Sequence, residues 1–140
     1  MIDAQYFAFC RSLQSILAVN RNVTSLSLNN CCLGKEAVAA IGEGLAKNTK
    51  LQSLSLRSNQ ITLKYLAEFI LACKENKKLG LTHLDLSSNN LCDKAGVHIA
   101  KSLKGLQHLE SINMKNNCFE AEAGDAFLFL VKENPVIQKC

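Results

Sequence analysis

Residues 81–91 read Leu-Thr-His-Leu-Asp-Leu-Ser-Ser-Asn-Asn-Leu, and their pattern decides the fold because the chain repeats it four times. Apolar residues occupy the first, fourth, sixth and eleventh positions of the pattern, and the ninth is Asn or Cys. The four copies begin at Val23, Leu51, Leu81 and Leu109, so their starts lie 28, 30 and 28 residues apart. Because all four copies keep the same phase, the pattern predicts a stack of similar structural units.

Each unit combines a short strand with a helix. Apolar residues alternate at Leu84 and Leu86, which is typical of a half-buried strand. The segment that follows places side chains of one helix face 7, 10 and 14 positions beyond each Asn or Cys. Since this helix carries the chain back to the start of the next strand, the strands are expected to pair in parallel. Gly96 and Gly124 lie on that face and are expected to allow close approach of helix to sheet.

The long period, the helical return and the stretches 45–48 and 89–97 resemble the ribonuclease-inhibitor-type class of leucine-rich repeats. The resemblance covers residues 23–137. It implies an α/β leucine-rich-repeat solenoid shaped as a horseshoe, with parallel strands on the concave face and helices on the convex face. It also implies protein–protein recognition in the cytosol. The class includes ribonuclease inhibitor, the sensor ends of NOD-like receptors, tropomodulin and other actin regulators, ciliary repeat proteins and the Ran GTPase-activating protein, and the repeat residues select none of these.

The two ends of the stack differ from its middle. The first residues lack a strand motif and form an apolar helical stripe, which is expected to cap the first repeat. Val136 and Ile137 resemble the start of a fifth strand. The chain is therefore interpreted either as a segment of a longer repeat protein or as an apolar terminus that a partner or second copy covers. The stripe of the first helix comprises Ile2, Tyr6, Phe9, Leu13 and Leu17.

These observations predict one domain over residues 1–140. Repeat two has two additional residues before the next strand, which predicts a bulge near residues 77–80. The predicted boundaries are 1–22 for the N-terminal helical cap, 23–50, 51–80, 81–108 and 109–136 for the repeats, and 137–140 for the start of a truncated fifth repeat.

The ninth position of the pattern has a structural explanation. Where each strand turns toward its helix, backbone groups lose their sheet partners, and an inward amide can both donate to and accept from them. The sequence therefore predicts a ladder of side chains that bridges neighbouring turns. Its members are Cys31, Asn59, Asn89 and Asn117.

The composition narrows the classes of function. A net charge of +4 over 140 residues is well short of the basic stripe of a nucleic-acid-binding protein. No stretch approaches the 18 apolar residues of a membrane span, and the N-terminus does not resemble a signal peptide. Seven cysteines without such a signal favour a reducing compartment, so the protein is expected in the cytoplasm, with the cytoskeleton or cilium as narrower alternatives.

No cofactor, metal or small-molecule substrate is expected. Cys32 and Cys118 share a column of the repeat but lie three units apart, which is about 14 Å at normal strand spacing. That separation is too large for a shared zinc ion. No glycine-rich phosphate loop or activated nucleophile accompanies the polar residues, so catalytic activity is not expected either.

The default binding surface of such a solenoid is its concave face. The residues predicted to face outward there are small and polar, with Arg57 as the one side chain typical of binding hot spots. A simpler interpretation is that Arg57 and Asp85 only pair with each other, which contributes little at a surface. The predicted partner-binding residues are Ser55, Arg57, His83, Asp85, Asn113 and Lys115.

Two other surfaces compete with the concave face. Lysines on the second and third helices would form a basic convex ridge, although interleaved glutamates favour an ordinary solvated surface. Phe129 and Leu130 belong to a last helix with more apolar residues than one buried face uses, so they are predicted to make end-on contacts. The ridge lysines are Lys64, Lys74, Lys77, Lys78, Lys94, Lys101 and Lys104.

The sequence thus predicts a non-enzymatic scaffold that binds another protein, as part of a longer chain or a larger assembly. One alternative is a regulator of an enzyme, either GTPase-activating or inhibitory, that binds through the same strands. Another is a structural component of a cytoskeletal or ciliary complex.

Overall fold

The computed structural model describes residues 3–133 and arranges them as alternating helices and strands. The helices occupy the segments between the copies of the pattern, and each strand is three residues long. In chain order the elements are α1 (Ala4–Val19), β1 (Ser25–Ser27), α2 (Lys35–Leu45), β2 (Ser53–Ser55), α3 (Leu63–Glu75), β3 (His83–Asp85), α4 (Asp93–Leu103), β4 (Ser111–Asn113) and α5 (Ala121–Glu133).

The four strands form one parallel sheet in the order β1-β2-β3-β4. The register aligns Leu26, Leu54, Leu84 and Ile112 in one row. Since side chains alternate across a strand, this row faces the helices while the flanking polar residues face the other way. The predicted α/β leucine-rich-repeat solenoid, with strands inside and helices outside, is confirmed.

The core lies between the sheet and the helices. Leu54 and Leu86 of the strand segments are fully buried, and Phe69 of α3 is the largest fully buried side chain. Each such side chain contributes about 1.5–3 kcal/mol through removal of its apolar surface from water. The helix positions predicted to be buried are buried in the first three repeats, for example Ile41 and Ile99.

The two glycines of the predicted helix face behave differently. A Cβ atom at Gly96 would lie 2.7 Å from the Cβ of Ala123, so Gly96 allows α4 to approach α5 closely. Gly96 therefore allows close approach of two helices, whereas the sequence predicted close approach of the helix to the sheet. At Gly124 the expectation is wrong, because a Cβ there would meet no atom within 4 Å. Within the described residues no further helix packs against that side of α5.

The two additional residues of repeat two lie after its helix. Asn48 and Asn76 occupy equivalent positions, yet the next motif begins three residues after Asn48 and five residues after Asn76. The chain leaves α3 through Asn76, and a turn at 77–78 leads into the next strand. The additional residues thus fall in the connection at 77–80, where the bulge was predicted.

α1 packs against α2 and begins at Asp3, whose carboxylate accepts from the backbone N–H groups of Gln5 and Tyr6. Its buried side chains are Cys10 and Leu17, while Phe9 of the predicted stripe is 44% exposed. Tyr6, Leu13 and Leu17 of the predicted stripe pack against the core, so the prediction is wrong at Phe9, where the neighbouring Cys10 is buried instead. Ile2 lies outside the described residues. With Phe9, Ile16 and Val19 exposed, α1 lacks the polar outer face of a typical solenoid cap. Its role as a cap stays a prediction.

The asparagine ladder forms as predicted in the inner repeats. The Asn89 side chain accepts from the N–H groups of Asn59 and Ile61 and donates to the carbonyl of Leu56 in the preceding turn. The Asn59 side chain repeats this arrangement one turn earlier and donates to the Leu28 carbonyl. Each amide thus connects two neighbouring repeats.

Cys31 does not bridge in this way. It is exposed, and its thiol donates to the carbonyl of Asn29 in the same turn at 3.2 Å. β1 is the edge strand, so the described residues offer no preceding turn for Cys31 to reach. The prediction that Cys31 bridges neighbouring turns is therefore wrong, although its backbone N–H is held by Asn59 at 2.9 Å.

A second asparagine ladder, absent from the sequence prediction, connects the helix ends. The buried Asn48 donates to the Leu17 carbonyl at 2.7 Å and accepts from the N–H of Leu51 at 2.7 Å. One repeat later, Asn76 donates to the Leu45 carbonyl of the preceding repeat at 2.8 Å. An Asn that stands 17 positions after both Cys31 and Asn59 was the signal that could have revealed this ladder. The fifth strand predicted at residues 136–137 lies outside the described residues.

Candidate functional site

The concave surface is built by polar side chains that flank the buried strand row. Its members fall into three rows across the sheet, because the strands pair without a register shift. Neighbouring members of a row stand about 4.8 Å apart. The rows are Ser25, Ser53, His83 and Ser111; Ser27, Ser55, Asp85 and Asn113; and Asn29, Arg57, Ser87 and Lys115.

Three of the predicted binding residues are engaged within the fold. The Ser55 hydroxyl donates to the Asn29 side chain at 2.7 Å. The Asp85 carboxylate accepts from the N–H of Ser87 at 2.8 Å, and the Asn113 amide oxygen accepts from the N–H of Lys115 at 3.2 Å. These side chains hold the backbone where each strand ends, so they shape the surface and offer a partner only their remaining polar atoms.

The other three predicted residues are available to a partner. Arg57, His83 and Lys115 are exposed, and His83 shares a hydrogen bond of 2.8 Å with the Thr82 hydroxyl. Arg57 and Asp85 are not within ion-pair distance of each other. The ion pair that forms among residues 3–133 joins Lys35 and Glu68 at 3.6 Å on the helices. The concave surface therefore carries two unpaired cations.

A small apolar pocket adjoins Lys115 at the last strand. Phe119 and Phe127 contact each other edge to face, with ring centroids 6.1 Å apart. Together with Met114 and Lys115 they line a pocket of about 280 Å³. The pocket places an apolar cavity beside a positive charge, an arrangement that could hold an apolar side chain next to an acidic one. The helical periodicity predicted Phe127 in the core, and no residue pattern indicated this pocket.

The two residues predicted to make end-on contacts differ in their exposure to solvent. Phe129 is 58% exposed, and the ammonium group of Lys104 lies 5.5 Å from its ring centroid. Leu130 is only 1% exposed, so its prediction as an end-on contact is wrong. Leu128 is 57% exposed, and its equivalents in the inner repeats, Ile70 and Ala100, are buried. The helix thus turns Leu128, not Leu130, toward the open end of the described stack, which is the side of α5 that no described helix covers.

The convex face carries grooves between its helices. The groove between α1 and α2 has a volume of about 480 Å³, with Phe7 and Arg11 among its lining residues. Another of about 330 Å³ lies between α3 and α4 beside the exposed Leu71. The predicted lysine ridge is exposed except for Lys74, which packs against Gly105. Glu68 interrupts the ridge through its ion pair with Lys35.

The described residues hold no group of three or more His, Cys, Asp or Glu side chains that could share a metal ion. Burial raises the pKa of the Cys73 thiol to about 12 and also raises the pKa of the Cys10 thiol, so both favour the neutral form. Between residues 3 and 133, no helix has the length and hydropathy needed to cross a membrane.

Several known proteins have sequences similar to that of this chain. A family model described as Leucine Rich repeat matches residues 19–42, 47–64 and 81–100. NACHT, LRR and PYD domains-containing protein 13 of Homo sapiens is 32% identical over 136 residues, which are 92% of this chain and 12% of that protein. Protein CARMIL of Dictyostelium discoideum is 33% identical over 105 residues, covering 71% and 10% respectively. The chain thus spans about a tenth of the length of these relatives.

Two solved structures share the fold. A tropomodulin C-terminal domain of Caenorhabditis elegans aligns with a TM-score of 0.79 and 16% identity, over 93% of this chain and 80% of that one. A structure titled Leiomodin-1 Actin-Binding Site 2 aligns with a TM-score of 0.79 and 19% identity, over 99% and 79%. At these identities the likeness concerns the arrangement of strands and helices alone.

Proposed function

Because the chain is a leucine-rich-repeat protein, we propose that it is a non-enzymatic interaction scaffold whose concave surface binds an acidic, partly apolar segment of another protein. The proposal places it in the cytoplasm. Repeat solenoids present extended surfaces to partners, and successive strands offer side chains at fixed spacing.

The observation that carries this proposal is the free state of Arg57 and Lys115. Both belong to one row, two strands apart, so their backbones are separated by about 10 Å. An extended polypeptide covers that distance in about three residues. Two acidic residues three positions apart would therefore meet both cations, with His83 as a further donor.

The pocket beside Lys115 supports the apolar part of the proposal. Phe119 and Phe127 line an apolar pocket. A partner held by ion pairs alone would leave this pocket unfilled. Surface ion pairs are weak, with about 0–1 kcal/mol each, so a concave surface with cations alone would bind poorly. An apolar side chain inserted beside Lys115 would contribute about 1.5–3 kcal/mol if it became fully buried.

Replacing Arg57, His83 and Lys115 together with alanine is expected to weaken binding by about tenfold, because three exposed polar contacts are lost. The probe is a fluorescent peptide with two glutamates three positions apart and one leucine, and its binding is followed by anisotropy. Asp85 stays unchanged because its carboxylate holds the Ser87 backbone. Binding by the unaltered protein should also weaken with salt.

The matched control replaces Lys47, Lys77 and His98 with alanine, which removes two exposed cations and one exposed imidazole from the helical side. A general loss of positive charge would weaken both variants equally, and that result would contradict a concave site. Unaltered affinity in the Arg57, His83 and Lys115 variant would also contradict it. A second peptide with glutamine in place of glutamate tests the requirement for negative charge.

A second candidate function is structural, within a cytoskeletal complex that uses the open end of the solenoid. Its support is the exposure of Leu128 and Phe129, together with the fold shared with the leiomodin-1 segment titled as actin-binding. Actin is therefore the first protein partner to test. The regulator alternative is tested separately by measuring GTP hydrolysis with a panel of small GTPases. If the protein stimulates hydrolysis by none of them, a GTPase-activating function is excluded for that panel.

Replacing Leu128 with aspartate is expected to abolish end-on binding while changing the free energy of unfolding by less than about 0.5 kcal/mol, because the side chain is already exposed. Cosedimentation with purified actin filaments measures binding, and urea unfolding measures stability. The control is Leu71→Asp, since Leu71 is 59% exposed on the convex face. If the Leu128 variant still sediments with actin, the open end is not the contact.

A further inference from the structure

Two exposed cysteines meet where repeat three joins repeat four. Cys92 and Cys118 form an isolated parallel β-bridge, and the N–H of Cys118 donates to the carbonyl of Leu91 at 2.8 Å. Both thiols are free and both residues are exposed. They are directly opposite each other although 26 residues separate them in the chain.

The geometry suits a covalent bond between them. Directly paired residues on neighbouring strands lie about 4.8 Å apart and point to the same side of the sheet. Disulfides connect residues whose Cα atoms are about 4.4–6.8 Å apart. The Cβ atoms of a disulfide stand closer, at about 3.8 Å, so the two exposed turns must approach slightly. A bond closed under such strain is more easily reduced than a relaxed one.

We propose that Cys92 and Cys118 form a reversible disulfide that links repeat four to repeat three under oxidising conditions. Glutathione disulfide is the oxidant. The Cys92 thiolate attacks one of its sulfur atoms, and one glutathione thiolate leaves. The Cys118 thiolate then attacks the Cys92 sulfur of the mixed disulfide, and the second glutathione leaves. Two protein thiols lose two electrons and two protons, and one glutathione disulfide becomes two glutathione thiols.

The other thiols of the described residues are placed differently. Cys10 and Cys73 are buried, so an oxidant in solution does not reach them readily. Cys31 and Cys32 are exposed but adjacent in the chain, and Cys32 lies three strands from Cys118. Cys92 and Cys118 are therefore the pair that combines exposure with direct opposition.

The link would act on the last described repeat. In a solenoid each repeat is stabilised mainly by contacts with its neighbours, so a bond across the junction of two repeats opposes their separation. The junction is already fixed by the carboxylate of Asp93, which accepts from the N–H of Glu120 at 2.5 Å. A disulfide beside this contact would suppress the local opening of β4 and α5.

The test equilibrates the full chain, at low micromolar concentration, with mixtures of reduced and oxidised glutathione. Free thiols are then blocked, the protein is cut with trypsin, and the peptides are weighed by mass spectrometry. Cys92 and Cys118 fall in the separate tryptic peptides 79–94 and 116–132, each of which contains one cysteine. We expect these two peptides to appear joined, and to separate when a reductant is added.

Two variants sharpen the result. In Cys118→Ser, Cys92 should stop at the mixed disulfide with glutathione, and the joined peptides should disappear. In Cys32→Ser the joined peptides should remain. Separate glutathione adducts on Cys92 and Cys118 in the unaltered chain would overturn the proposal. Joining to any other cysteine in preference to this pair would also overturn it.

Hydrogen exchange tests the structural consequence. Amide exchange in β4 and α5 is expected to slow by about tenfold or more on oxidation, because the bond restricts the opened state. The same amides should not change in Cys118→Ser under identical conditions. Joined peptides without slower exchange would show that the bond forms but does not hold repeat four, which contradicts the proposed link between repeats.

Discussion

Replacing Asn89 with alanine is expected to lower the free energy of unfolding by about 4 kcal/mol, the largest effect among these variants. The Asn89 side chain is 4% exposed and serves five backbone groups. It accepts from two N–H groups at 3.0 and 2.9 Å and donates to three carbonyls at 3.0–3.2 Å. Truncation leaves two N–H groups buried without partners, those of Asn59 and Ile61. The three carbonyls keep their bonds to the Asn59 side chain, the Asn117 side chain and the Ser58 N–H. Each orphaned N–H group costs about 1–3 kcal/mol. Urea unfolding followed by circular dichroism measures the loss.

The neighbouring Asn90 provides the matched control. Asn90 is exposed, and its backbone N–H donates to the Ile61 carbonyl. An alanine at this position retains that backbone hydrogen bond. Asn90→Ala should therefore change stability by less than about 0.5 kcal/mol. Asn117→Ala should fall between the two, because Asn117 occupies the same column but is only half-buried. An equal effect of the Asn89 and Asn90 variants would show that the ladder does not stabilise the stack.

Replacing Gly96 with alanine is expected to destabilise the fold by about 1 kcal/mol although alanine is the better helix former. The new Cβ would lie 2.7 Å from the Cβ of Ala123 and 3.0 Å from the Phe119 ring. Because the Ala123 Cβ is attached to the backbone of α5, relief requires a shift of the whole helix. Overpacking of this kind costs about 1–3 kcal/mol and outweighs the gain in helix propensity of about 1 kcal/mol. Thermal unfolding by calorimetry measures the difference.

Gly124→Ala is the control, since Gly124 occupies the equivalent position of α5. A Cβ there meets no atom within 4 Å, so the propensity gain is not opposed. The variant is expected to raise the free energy of unfolding by about 0.5–1 kcal/mol. Destabilisation by Gly96→Ala together with stabilisation by Gly124→Ala would show that contact between helices determines the change in stability. Position in the repeat alone would give the two substitutions the same effect. Stabilisation by both substitutions would contradict the close approach of α4 and α5.

The sequence predicted the fold well because its repeat period constrains both faces of every unit. Leu54 and Leu84 had to face the core together, since one phase applies to all strands. The same argument placed Asn59 and Asn89 in one ladder. It failed at Cys31, because a ladder member needs a neighbour on both sides and β1 is the edge strand.

The candidate site was only partly predictable. The rows of the concave surface follow from the register of the strands. The register does not show which side chains in these rows form hydrogen bonds within the fold and which are available to a partner. Arg57 and Asp85 have opposite charges near each other in the repeat, yet Asp85 accepts from the Ser87 backbone instead. Periodicity identifies the face on which a side chain lies. The hydrogen bonds that it makes there depend on distances between atoms, which a pattern of residue types does not contain.

The sequence by itself determined the architecture: four repeats, a parallel sheet and a polar strand surface, because a hydrophobic pattern kept in phase has few other ways to bury its apolar residues. Tertiary structure alone decided which residues are neighbours at the seams between repeats. It turned Leu128 outward and Leu130 inward, since the rotation of α5 on the sheet is set by packing against α4. It also brought Cys92 opposite Cys118, although the two residues stand in different columns of the repeat, because the turn after β4 pairs with the turn after β3 at a shift of two positions.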